Sequence, residues 1–271
     1  RRAGEDIQIG SQVYAAGQRL SSLDIGLLAS LGFAQVQVVR RLRIALLTTG
    51  DELLPVGAEP AAGKIFDSNR PLLAALLTRL PVDVMDLGII ADNPAALRSA
   101  FNTAMQWADV VVSTGGVSVG DADYTKDVLA ELGTIDFWKI AMKPGKPFAF
   151  GRLGQGWFFG LPGNPVSTAV TYHQLVVPGL RYLAGEKIVP QQMLSAIAGH
   201  ALKKQPGRTD FQRGILTNNN GINTVISAGL QSSGVLSAMA KANCYIRLEA
   251  EQGSVAAGEK VNVIPFDNFI G

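Results

Sequence analysis

Ile44-Ala-Leu-Leu-Thr48 is the stretch on which the fold turns. It is apolar without alternation, and a strand with no polar face is one covered on both sides, as in a parallel sheet. Pro71 to Leu80 then reads as a helix with leucines at 72, 73, 76, 77 and 80. Val82 to Ile90 is a second strand, and Pro94 to Trp107 a helix with proline in its first turn. Asp109 to Ser113 is a third strand, Tyr124 to Leu132 a helix, and Ile135 to Met142 a fourth strand. Phe148 to Phe150 and Trp157 to Phe159 form a hairpin-like pair, and Pro165 to Leu183 one long helix. Strands alternating with helices at this spacing predict an α/β, mainly parallel three-layer sheet domain over residues 42–186.

The helical period fades after Glu186. Short β-like runs follow at Asp210 to Leu216, Asn223 to Ser227, Cys244 to Leu248 and Val261 to Pro265, punctuated by glycine and asparagine. They predict a small C-terminal β-barrel or sandwich over residues 187–271. Residues 1–41 are too few to hold a core alone. Short strands and turns are expected around Ile7 to Leu20. A helix capped by Ser21 and Asp24 should run to Gly32, and Val36 to Val39 should be a strand. Arg40, Arg41 and Arg43 read as a solvated junction.

The chain has 271 residues, 47% of them hydrophobic and 17% charged, a globular composition that excludes disorder over most of its length. A formal net charge of +2 is too small an excess to imply nucleic acid. No run of about 18 apolar residues is present, so no membrane span is expected. The single cysteine, Cys244, excludes an internal disulfide, fits a reducing cytoplasmic setting and reads as a small buried hydrophobe. His173 and His200 lack ligand spacing, and His173 sits in an apolar stretch as a packed residue.

Ligands of open α/β sheets bind beyond the carboxyl ends of the strands, and the unusual residues fall there. The ends run into Thr48-Thr-Gly-Asp-Glu-Leu53, Ser113-Thr-Gly-Gly-Val-Ser-Val-Gly-Asp-Ala-Asp-Tyr124, Lys143-Pro-Gly-Lys-Pro147 and Leu161-Pro-Gly-Asn-Pro-Val-Ser-Thr168. Gly115 and Gly116 let backbone N–H groups approach a phosphate, with hydroxyls at Ser113, Thr114 and Ser118 beside them. Alone, that loop reads equally as a tight strand-to-helix turn. Lys143 and Lys146, fixed by prolines, repel each other unless an anion lies between them, the plain alternative being two solvated lysines on a turn. Asp51, Glu52, Asp121 and Asp123 beside an anion imply a bridging cation, Mg²⁺ by donor type, although any one of them could cap a helix instead. Asp67 and Asp92 precede helices and read as caps, with Asp67 also at a strand-end loop. Ser167 falls in the first turn after Asn164-Pro165, where it can meet an anion, while simple N-capping by Asn164 is the alternative and compatible reading.

Together these motifs resemble molybdopterin molybdenumtransferases, the MoeA family, related to the gephyrin E-domain. The resemblance runs from residue 1 to the C-terminus. It implies an enzyme that takes adenylylated molybdopterin and molybdate, releases AMP and places molybdenum on the pterin dithiolene, assisted by a divalent cation. It puts molybdate-binding groups on Ser118, Lys143, Lys146, Pro147, Ser167, Arg208 and Ser233, with the Asp123 carboxylate beside them. Asp51, Glu52, Asp123, Lys143 and Lys146 form the expected catalytic set. Gly115, Gly116 and Asp67 join the ligand-binding set, and Asp51, Glu52, Asp121 and Asp123 the metal set. Residues 1–41 would be the remnant of an elongated N-terminal domain through which the family forms homodimers, and a molybdopterin adenylyltransferase is a further expected partner. The alternatives are an adenylyltransferase, whose family shares the α/β domain and the Gly-Gly motif, and a non-catalytic scaffold that retains the fold.

Overall fold

A computed structural model describes residue 2, residues 4–116 and residues 124–266. Ser118, Asp121 and Asp123 therefore lie outside the described residues.

In chain order the elements are α1 (Ser22–Ser30), β1 (Leu42–Thr49), β2 (Leu53–Leu54), β3 (Ile65–Phe66), α2 (Asn69–Leu77), β4 (Val82–Ile90), α3 (Pro94–Trp107), β5 (Val110–Thr114), α4 (Tyr124–Leu132) and β6 (Gly133–Lys139). Then come β7 (Met142–Lys143), β8 (Pro147–Leu153), β9 (Gly156–Leu161), α5 (Pro165–Thr171), a π-helical turn (Tyr172–Val176) and α6 (Val177–Leu183). The C-terminal part holds β10 (Leu194–Ala198), β11 (Thr209–Asn219), β12 (Ile222–Ser227), α7 (Leu236–Lys241), β13 (Cys244–Leu248) and β14 (Lys260–Pro265).

The first sheet has six strands in the order β4-β1-β5-β9-β8-β6. Its β1 shows why the apolar run is there. Ile44 and Leu46 pack on one face with Leu73, Leu77, Val176 and Leu180 from α2 and the α5–α6 segment. Ala45 and Leu47 pack on the other face with Leu97, Phe101 and Leu129 from α3 and α4. All four β1 residues have no exposed surface, so the strand is covered by helices on both sides. Each Ile or Leu so buried contributes about 1.5–3 kcal/mol.

The second sheet orders its strands β12-β10-β14-β13-β11-β7, and β11 also pairs with β12. That extra pairing closes β10 to β14 into a five-stranded barrel around Ala196, Val225, Cys244, Ile246 and Val263. A second apolar cluster joins the barrel to the α/β domain, with Phe211, Tyr245 and Phe266 on the barrel side and Val166, Ala169 and Val170 on α5.

Four expectations need correction. The fourth strand covers Gly133–Lys139 and pairs antiparallel with β8, while Met142 leaves it to join the barrel sheet. The long helix is broken by the π-helical turn, one turn before Pro178, which has no N–H to give. The short strands expected around Ile7 to Leu20 do not form, and Val36 to Val39 is no strand either, all four of its residues being exposed for want of a sheet partner. The arginines at the junction are exposed as expected, with surface partners: Arg40 forks onto Asp109 at 2.6 Å twice, Arg41 pairs with Asp83, and Arg43 lies over the Trp107 ring. The capping box of Ser21 and Asp24 forms as expected.

Candidate functional site

Strands β4, β5 and β9 run parallel to their neighbours in the β4-β1-β5-β9 block, and two antiparallel pairings through β8 bring β6 back to the same direction. All five therefore end on one edge of the sheet. The loops that leave there are residues 50–52, 91–93, 115–116, 140–146 and 162–164, so the predicted stretches do share an edge.

At the centre, Gly115 and Gly116 have φ of +83° and +62°. A Cβ on Gly115 would lie 2.2 Å from the Thr49 carbonyl oxygen, and one on Gly116 2.4 Å from Thr125 Oγ1. Only glycine gives both the positive φ and the close approach of β5 to β1. The neighbouring side chains form a polar knot. Asn69 Nδ2 donates to Thr114 Oγ1 at 2.9 Å and to the Gly163 carbonyl at 2.7 Å. Thr114 Oγ1 and Thr168 Oγ1 both donate to the Pro162 carbonyl. Asn69 thus ties α2, β5 and the 162–164 loop together, a role no motif signals because its partners lie far away in sequence. Asn69 Oδ1 and Ser113 Oγ are buried here without a partner among the described residues. Asp67 does cap α2, accepting from the Arg70 backbone N–H at 3.1 Å and from its Nε at 3.1 Å.

Asp51 and Glu52 are exposed on the loop after β1. Asp92 joins them instead of capping α3, a task that Asn93 performs by accepting from the Ala96 N–H. The Asp92 N–H donates to Asp51 Oδ1 at 3.0 Å. Its carboxyl is held above the usual range, first by burial and then by the charges of Asp51 and Glu52. Among the described residues no three of His, Cys, Asp and Glu converge as a metal cage.

The lysine turn is built by the barrel as much as by the α/β domain. β7 pairs in parallel with β11, setting Met142 against Thr209 and Lys143 against Asp210, and the Thr209 N–H donates to the Ala141 carbonyl at 3.0 Å. Lys143 and Lys146 are both exposed, and Pro147 opens β8. Lys143 Nζ lies 3.7 Å from the buried Asp210 carboxylate. Arg208, exposed, immediately precedes the paired segment. Ser167 is buried in the first turn of α5, where the Val166 N–H donates to the Ser233 carbonyl at 3.2 Å. The barrel thereby delivers Arg208 beside the lysine turn and Ser233 beside Ser167.

Arg213 reads from sequence as a surface arginine by default, and the structure overturns that. Arg213 is wholly buried, and its Nη2 donates to the carbonyls of Leu230 and Ser232. The Gln231 side chain brackets the Arg213 backbone, accepting from its N–H at 2.8 Å and donating to its carbonyl at 3.0 Å. Residue 213 thus fixes the loop that carries Ser233. His173, packed as expected, has Nδ1 2.7 Å from the Tyr245 hydroxyl across the domain seam, and burial pulls its pKa down to about 3. Burial likewise pushes the Cys244 thiol up to about 12, leaving it inert.

A cleft of about 970 Å³ lies at the opposite edge, against Leu42 and Val82 at the amino ends of β1 and β4. None of the predicted site residues lines it.

Residues 45–182 match the family described as a probable molybdopterin binding domain, and residues 195–266 match the MoeA C-terminal region (domain IV). The molybdopterin molybdenumtransferase of Haemophilus influenzae is 49% identical over 100% of this chain and 68% of its own length. The chain belongs to the molybdopterin molybdenumtransferase family. The Nostoc sp. member is 35% identical, with 95% of this chain and 60% of the relative aligned. A molybdopterin biosynthesis MoeA protein from Pyrococcus horikosii superposes with a TM-score of 0.80 at 30% identity, over 96% of this chain and 63% of that one. The chain thus spans between 60% and 68% of the length of these three family members.

Proposed function

We propose that the chain carries the molybdenum-inserting site of its family, taking adenylylated molybdopterin and molybdate, releasing AMP and leaving molybdenum on the pterin dithiolene. The observation that carries this reading is that one sheet edge gathers two groups of residues whose chemistry suits anions. The close backbone at Gly115 and Gly116, with the unpartnered Ser113 hydroxyl nearby, suits the pyrophosphate link of an adenylylated substrate. Lys143, Lys146 and Ser167, with Arg208 and Ser233 supplied by the barrel, suit a small dianion. Ammonium and guanidinium groups fixed before the anion arrives stabilise it without further reorganisation.

Asp51 and Glu52, crowded by Asp92, are an all-oxygen donor set that fits a hard divalent cation such as Mg²⁺, with Asp121 and Asp123 as the remaining donors. When bound, Mg²⁺ would neutralise the pyrophosphate and polarise it for cleavage. Asp123 would stand near the oxyanion, Ser118 would add a hydroxyl, and Pro147 would hold the lysine turn rigid. Asp67, engaged by Arg70, would act by fixing the start of α2. We also propose the division into residues 1–41, 42–186 and 187–271, a homodimeric full-length protein in the cytoplasm, and an adenylyltransferase as its partner. No helix of the described residues is long and apolar enough to cross a membrane.

The adenylyltransferase alternative leaves the barrel and the lysine turn unexplained, and a pure scaffold leaves the lysines, the acids and Arg208 unexplained. The test is AMP release from adenylylated molybdopterin with and without molybdate and Mg²⁺. Release that depends on both is expected. Release indifferent to molybdate, from the full-length protein, would remove the proposal.

A further inference from the structure

Two ammonium groups on one rigid turn call for a counter-ion. The fold supplies one for Lys143 from the other domain. Asp210 stands opposite Lys143 in the β7–β11 pairing. Its side chain is 5% exposed, and Oδ2 lies 3.7 Å from the Lys143 ammonium. Gln212 Nε2 donates to the same oxygen at 3.1 Å. A carboxylate so enclosed cannot swing away into water when an external anion arrives.

We propose that Asp210 is a resident counter-ion that competes with the incoming oxyanion for Lys143 and so sets how tightly the site holds molybdate. This rests on the reading of Lys143 as an oxyanion ligand. A dianion on the open side of the Lys143 ammonium feels the Asp210 charge from only a few ångströms further on, where water screens poorly. Asp210 touches no ligand itself; it acts by holding Lys143 and by its own charge behind it. Its effect is to weaken the oxyanion complex, so that a substrate gripped by two lysines and an arginine is still passed on.

The experiment is titration calorimetry of the full chain with sodium molybdate and, separately, sodium sulfate at fixed ionic strength, with thermal melts of every variant. Asp210→Asn keeps an acceptor for Gln212 and removes the charge. It should melt lower and yet bind both anions more tightly, by about tenfold for one unit charge removed at this range. Damage to the fold does not produce a gain in affinity. Lys143→Ala should weaken binding, and adding Asp210→Asn to it should restore much of the loss. A folded Asp210→Asn variant that binds as the wild type does, or more weakly, overturns the inference. Should Asp210→Asn not fold, Lys143→Ala against Lys146→Ala decides. The former must cost more, because it uncovers Asp210, and an equal or smaller cost overturns the inference. A wild-type chain that binds neither anion removes the oxyanion reading itself and this inference with it.

Discussion

His173 makes the acid stability of this protein calculable in one pH window. It is 1% exposed, pairs with Tyr245 across the seam between barrel and α/β domain, and has its pKa pulled from 6.5 to about 3 by burial. Below pH 6.5 the unfolded chain takes up a proton at this position and the native protein does not. The folded pKa is the lower of the two, so the contribution is fully present above pH 6.5 and is lost as pH falls towards 3. One proton is worth about 1.4 kcal/mol per pH unit, hence about 2 kcal/mol between pH 6.5 and 5 and at most about 5 kcal/mol by pH 3. Domains are commonly stable by about 5–15 kcal/mol, so the loss is a large share. Urea unfolding followed by the fluorescence of the three tryptophans, at steps from pH 7.5 to 5, measures it. His173→Phe should be less stable at pH 7.5, because the buried Tyr245 hydroxyl loses its partner at a cost of about 1–3 kcal/mol. Its stability should also fall less with acid, so the two curves converge. His200→Asn, removing the only other histidine, separates that contribution. Wild-type and His173→Phe curves that stay parallel from pH 7.5 to 5 would refute the reasoning.

Gly115→Ala places a Cβ against the Thr49 carbonyl at positive φ, so a melting shift equivalent to at least 1–2 kcal/mol is expected, roughly the left-handed penalty alone, along with weaker binding of the adenylylated substrate. Asn69→Ala unties α2 from β5 and from the 162–164 loop, and a loss of about 1–3 kcal/mol in urea unfolding is the expected outcome. Asp51→Asn combined with Glu52→Gln should raise the Mg²⁺ concentration needed for half-maximal AMP release while leaving the melting temperature within a few degrees, since both carboxylates are exposed.

Much of this was legible in the chain itself, for identifiable reasons. Ile44 to Thr48 could be read as a two-sided buried strand because both faces are covered by helices that the same sequence spells out. The lysine turn was visible as a motif, yet its membership of the barrel sheet was not. β7 is two residues long and exists only because β11 pairs with it. The same holds for Asp210 and Arg213. Charged residues in a strand read as solvent-facing until a second domain covers them, and that seam is a tertiary fact. Val36 to Val39 has strand composition but no partner strand, so local propensity was not realised. α7 is six residues long, too short for its period to stand out. Ser118, Asp121 and Asp123 were named from sequence alone and lie outside the described residues.

Locating the oxyanion tests the central claim most directly. Crystals of the chain soaked in molybdate and measured at the molybdenum absorption edge should show one anomalous peak at the sheet edge, in contact with Lys143, Lys146 and Ser167 and within reach of Arg208. A peak elsewhere, or none at saturating molybdate, would contradict the account.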